Sequence, residues 1–200
     1  MAAMTEEQAR AWMSEQAAEA RRVAAAVEAM TPRIASLALR IAERLAAGGQ
    51  IFFFGNGGSA ADAQHWAAEL SGRFYRNRPG LPAHALTTNA SQITAIANDF
   101  GYDEIFSRPL AGLANPGDVA VGLSTSGGSA NVIRALDIAR DRGLLTAGFT
   151  GAGGAAMGTH CDTLIVIPSH DVARIQEGHE LCGHLLCAVI ERTLFGSSDL

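Results

Sequence analysis

The stretch GNGGSAADAQHWAAEL at residues 55–70 places two kinds of chemistry side by side. Its glycines and serine offer backbone N–H groups and a hydroxyl where a strand runs into a helix, a setting that favours an anion. Further along the helix, His65 and Glu69 stand one turn apart with Asp62 a turn earlier, all on one face. Imidazole nitrogen and carboxylate oxygen at this spacing suit zinc, although a surface hydrogen-bonded pair has the same spacing. A second run, ARIQEGHELCGHLLCAVIERTLF at 173–195, offers Gln176, Glu177, His179, Glu180 and His184. His184 lies inside the apolar GHLLCAVI run, where a core histidine is the competing reading.

Another loop repeats the first pattern. STSGGS at 124–129 holds four hydroxyls in six residues, more than one helix cap needs, and reads as a phosphate cradle. GNGGSA also matches the form of a dinucleotide fingerprint. That motif expects an acidic residue after the second strand, and here TTNAS follows AHAL, so no nucleotide or other organic cofactor is expected. All 15 basic residues are Arg. Without Lys there is no Schiff-base chemistry, no pyridoxal phosphate attachment and no phosphate-gripping lysine. Carboxylates, imidazoles, hydroxyls or a metal must do the work.

These residues need a scaffold, and the apolar pattern describes one. IFFF (51–54), AHAL (83–86), VAVGL (119–123), LTAGF (145–149) and LIVI (164–167) read as strands bounded by turn residues. Helical stretches at 60–71, 91–97, 130–141 and 174–195 separate or follow them. Such alternation predicts an α/β fold: a doubly wound, flavodoxin-like, five-stranded parallel sheet flanked by helices. Residues 1–48 read as two helices, opened by Thr5 with Glu6, Glu7 and Gln8 and broken at Thr31-Pro32. They form an oligomerising extension to a 49–200 domain.

At 200 residues with 48% hydrophobic and 18% charged content, the chain is long enough for one core. A net charge of −5 gives no basic footprint for nucleic acid. The acidic N-terminus has no apolar signal core, and no run is long enough to span a membrane. Cys161, Cys182 and Cys187 form no CxxC and read as reduced, buried thiols, so a cytoplasmic location is expected.

Five segments carry a resemblance: GNGGSAADAQHWAAELSGRF, RPGLPAHALTTN, TAIANDFGYDEIFSR, GLSTSGGSANVI and IPSHDVARIQEGHELCGHLL. In order and spacing they resemble the phosphoheptose isomerases of the sugar-isomerase (SIS) superfamily, from about residue 50 to the C-terminus. The resemblance implies conversion of sedoheptulose 7-phosphate to D-glycero-D-manno-heptose 7-phosphate, with zinc and as a homotetramer, ahead of nucleotide-activated heptose synthesis. It implies His65, Glu69, Gln176 and His184 as zinc ligands. It implies substrate contacts at Asn56, Gly57, Gly58, Ser59, Asn98, Asp99, Ser124, Thr125, Ser126 and Ser129, with Glu69 and Gln176 touching both metal and sugar. His84, Asn89 and Trp66 depart from the family pattern. The DnaA initiator-associating protein, a non-catalytic relative, shares the IPSH and ARIQE segment but holds non-ligand residues at the positions of Glu69 and His184.

Moving a proton between C1 and C2 through an enediolate needs a base, an acid and stabilisation of negative charge. Glu69 is assigned as the base and His184 as the proton donor to oxygen. Gln176 and His184 lie eight residues apart, about 12 Å along one helix, too far for an easy shared ion. Either Gln176 precedes the helix, or the site is composite, with His65 and Glu69 from one chain and His184 from a neighbouring subunit, which is the expectation taken here. Glu180 is an alternative ligand within the chain, although the resemblance favours Gln176.

Overall fold

Side chains alternate along the first strand, and this builds a sandwich of helices around a sheet. In β1 (Ile51–Gly55), Ile51 and Phe53 enter one core while Phe52 and Phe54 enter another. A strand buried on both faces needs helices above and below. The computed structural model describes residues 3–196 and supplies them. One layer contains α1 (Glu6–Ala29), α2 (Thr31–Ala46), α3 (Gly58–Ser71) and α7 (Val172–Phe195). The other contains α4 (Ala90–Phe100), α5 (Ser107–Leu113) and α6 (Ala130–Asp141).

β2 (Ala83–Ala85), β3 (Val119–Ser124), β4 (Leu145–Gly151) and β5 (Thr163–Ile167) complete a parallel sheet in the order β2-β1-β3-β4-β5. The order reverses between β1 and β3, so the loops leaving these two strands open a crevice at their carboxyl ends. GNGGS and STSGGS are those loops.

The expected elements form, with changes at their ends. Thr5 caps α1 through a reciprocal box with Gln8, as its sequence signal suggests. β2 is only three residues because it pairs on one side and Leu86 turns into the second core. Two short 3₁₀ helices, Tyr102–Glu104 and Ala155–His160, and α5 add to the expected set. α5 is seven residues long with Pro109 in its first turn, too short for a periodic signal. All three cysteines are free and buried, and burial pushes the Cys182 thiol up to about 12. Among the described residues no helix is long and apolar enough to cross a membrane.

α3 and α7 pack unusually close. A Cβ built on Gly183 would lie 2.0 Å from the Trp66 indole, so the glycine is what admits the ring. We expect Gly183→Ala to destabilise the fold by about 1–3 kcal/mol despite the better helix propensity of Ala. Urea unfolding checks this, and an unchanged or higher midpoint would contradict the packing.

Candidate active site

Helix α3 begins without a side-chain cap because its N-cap, Gly57, takes φ +58°, a conformation open to glycine. Its exposed and half-buried face then presents Asp62, His65 and Glu69 in successive turns toward α7. α7 is continuous from its Asp171 cap, which accepts from the Ala173 N–H at 2.9 Å. Its facing stripe carries Gln176, Glu180 and His184.

Four of these side chains converge. His65 Nε2 lies 3.2 Å from Glu69 Oε1, 3.2 Å from Glu180 Oε1 and 3.1 Å from His184 Nε2. His184 Nε2 is 3.1 Å from the same Glu180 oxygen. The Trp66 indole N–H donates to the other Glu180 oxygen at 3.1 Å and fixes the carboxylate. Ligand atoms about 2 Å from a tetrahedral zinc lie a little over 3 Å apart, so His65, Glu180 and His184 fit such an ion. Glu69 flanks this triad through His65.

This corrects one expectation. His184 does not have to come from a neighbour, because both histidines meet within one chain. Gln176 does not precede the helix either; it lies in the second turn of α7, and Glu180 spans the gap that made a shared ion difficult. The Gln176 side chain lies against Gly58, where an added Cβ would sit 2.3 Å away. Together with Asp62, Ala173, Glu177 and Glu180 it lines an open groove beside the triad. Asp62 Oδ2 is buried without a partner, and desolvation, reinforced by Glu180, raises its carboxyl to about 7.

The two glycine-rich loops meet next to this groove. Ser124 Oγ is 2.8 Å from Ser129 Oγ and 3.5 Å from Ser126 Oγ, a cluster of hydroxyls at the start of α6. Ser129 occupies the N-cap of α6 yet makes no side-chain capping bond, so capping does not account for its hydroxyl. The Thr125 carbonyl accepts from the Gly151 N–H at 3.0 Å, and Gly127 (φ +67°) presses against Gly154, which holds the loop in shape. Asn56 joins the loops by a reciprocal amide pair with Asn131, both bonds 2.9 Å, and accepts from Tyr102 Oη at 3.0 Å. Ser59 is buried under the first loop.

Asn98 and Asp99 fall on the exposed last turn of α4, where Asn98 donates to Asp99 at 2.8 Å. Among the described residues no hydrogen bond links them to the rest of the site. His84 sits on the edge strand, stacked on Phe52 and 3.0 Å from Gln50 Oε1, and Asn89 is the cap of α4. Neither joins the cluster. Sequence reasoning missed Asn131, Tyr102 and Phe74, the last stacked on His184 with ring centroids 5.7 Å apart. Asn131 had a signal, since it directly follows STSGGSA; the others had none.

A family model for the SIS domain matches residues 16–151. The chain is 51% identical over 169 residues to the phosphoheptose isomerase of Roseiflexus sp. (strain RS-1), covering 84% of this chain and 86% of that one. It is 52% identical over 163 residues to that of Rhodospirillum rubrum, covering 82% and 87%. The chain belongs to the phosphoheptose isomerase family of SIS-domain enzymes. The structure of phosphoheptose isomerase GmhA from Neisseria gonorrhoeae matches with a TM-score of 0.85 at 39% identity, covering 91% of this chain and 98% of that one. A phosphoheptose isomerase structure from Francisella tularensis gives the same TM-score at 33% identity, covering 93% and 97%. As an isomerase of this family, the chain is not a non-catalytic adaptor.

Behind the site, His179 points away from the cluster into the core, fully buried against Phe149 and beside the Thr150 backbone. Burial pushes its imidazole down to about 4. The unfolded chain therefore binds a proton that the folded chain refuses as pH falls from about 6.5 to 4, so stability drops through that window. We expect His179→Leu to lose less stability than wild type between pH 7 and 4.5, by roughly 2–3 kcal/mol. Urea unfolding at both pH values measures this; equal losses would contradict a neutral core imidazole.

Proposed function

We propose that this isomerase interconverts sedoheptulose 7-phosphate and D-glycero-D-manno-heptose 7-phosphate, with zinc held at the meeting point of α3 and α7. The observation that carries the reading is the convergence of His65, Glu180 and His184, flanked by Glu69, beside a hydroxyl-lined loop. His65 and His184 would hold the metal through Nε2, with carboxylate oxygen from Glu180 and from Glu69. Gln176, in the adjoining groove, contacts the sugar and is the alternative ligand that the resemblance favours. Bound there, zinc supplies a positive charge that stabilises an oxyanion on the substrate.

The chain's own residues do the rest. Ser124, Thr125, Ser126 and Ser129, with the N-terminus of α6, grip the phosphate. From Gly58 to His65 the helix rises about 10 Å, a distance suited to an extended seven-carbon chain with its phosphate at the loop end. Asn56, Gly57, Gly58 and Ser59 line the way, and Asn98 and Asp99 reach the sugar from α4. Glu69 takes the carbon-bound proton and returns it to the neighbouring carbon, passing through an enediolate. His184 hands a proton to the C2 oxygen and takes one from the C1 hydroxyl, so no net proton is gained. Its Nε2 could not hold a metal and carry a proton at once, so His184 would either give up ligation for that step or serve as a ligand alone. The exposed Trp12, Met13 and Leu39 on the two N-terminal helices support self-association, which we take to be a homotetramer, and the buried free thiols fit a cytoplasmic enzyme; its product would feed nucleotide-activated heptose synthesis.

Glu69→Gln removes the base and leaves the phosphate loop intact. We expect kcat to fall on the order of 10²–10⁴-fold with substrate still bound, read by product formation and by calorimetric binding. Turnover near wild type would remove Glu69 from this role. Ser126→Ala is expected to weaken substrate binding by about 1–3 kcal/mol, and inorganic phosphate to compete with substrate. Unchanged affinity with no phosphate inhibition would place the phosphate elsewhere.

A further inference from the structure

The loop between α3 and β2 is fastened by an ion pair that the chemistry above does not use. Arg78 and Glu191 meet at 3.0 Å with only 3% and 2% of their side chains exposed. Each is fully engaged. The Glu191 carboxylate accepts three successive backbone N–H groups, from Phe74 at 3.2 Å, Tyr75 at 3.0 Å and Arg76 at 3.2 Å. The Arg78 guanidinium donates to the carbonyls of Glu69 at 2.8 Å, Leu70 at 2.6 Å and the C-cap Gly72 at 3.0 Å, at the end of α3 where helical partners run out.

The pair therefore ties the last turn of the helix that carries His65 and Glu69 to the helix that carries Glu180 and His184. Glu191 lies seven residues beyond His184, two turns along the same face of α7. The loop it gathers presents Phe74, whose ring stacks on His184 with an interplanar angle of 24°. One carboxylate thus sets both the register of α3 against α7 and the plane of the His184 imidazole. A buried ion pair offers little net stability over an apolar pair of similar size, so its use here is geometric.

We propose that Arg78 and Glu191 are positioning residues, which hold Phe74 against His184 and fix the distance between the two histidines. This rests on the reading of the site given above. The test compares Glu191→Gln, which turns an acceptor into a donor facing backbone N–H groups, with Phe74→Leu and Phe74→Tyr. Two quantities are read for each folded variant: kcat and KM, and the ring-proton NMR shifts of His184 in metal-free protein, which report the Phe74 ring current without reference to any reaction.

The expected result for Glu191→Gln is a kcat at least about 10-fold lower, KM within about twofold, and loss of the ring-current shift, since small misplacements cost this much. Phe74→Leu is expected to do the same without touching the ion pair, and Phe74→Tyr to restore both readings. If Glu191→Gln does not fold, the Phe74 pair decides. A lower melting temperature with unchanged kcat and unchanged His184 shifts would overturn the proposal and leave a purely structural ion pair. Wild-type protein that shows the ring-current shift but no turnover would refute the substrate assignment while supporting the positioning.

Discussion

The site depends on the close docking of α3 against α7. Gly183 removes a side chain where Trp66 must enter, and Gly58 does the same where Gln176 lies. At each end of the contact a missing Cβ lets the helices approach within the reach of short polar side chains. Trp66 then uses the proximity twice. It fills the core against Phe53 and Phe149, and its N–H orients the Glu180 carboxylate toward two imidazoles. A looser contact would leave His65 and His184 as two unrelated surface histidines.

The same economy of placement joins the two halves of the chemistry. The sheet order brings the loops after β1 and β3 to one crevice, and the Asn56–Asn131 amide pair locks them together. An anion held at the serines would then sit beside the loop from which α3 leads to the histidine cluster. In the proposed reading, phosphate recognition and proton transfer are separated along α3 rather than crowded at one point. The groove beside the cluster carries a carboxylate from each helix, Asp62 of α3 and Glu180 of α7, which suits the hydroxyls of a sugar.

Much of this was legible in the sequence because it is local. Short apolar runs and period-3.6 patterns, with turn residues between, define the strands and most helices. The spacing of His65 and Glu69 and the hydroxyl density of STSGGS point to the two proposed centres. What was not legible is set by register between distant elements. Whether Gln176 or Glu180 faces the histidines depends on how far α7 slides along α3, and no residue within either helix states that. Glu191 reads as a helix charge until Arg78, 113 residues away, is seen to bury it. α5 escaped because seven residues hold too little periodicity.

The proposed function turns on the two histidines of one chain serving one ion, and anomalous scattering from zinc-loaded crystals tests that directly. The account predicts one zinc per chain, bonded to Nε2 of His65 and Nε2 of His184 from the same chain at about 2.0–2.1 Å. Histidines contributed by two different chains, or no zinc peak between α3 and α7, would contradict it.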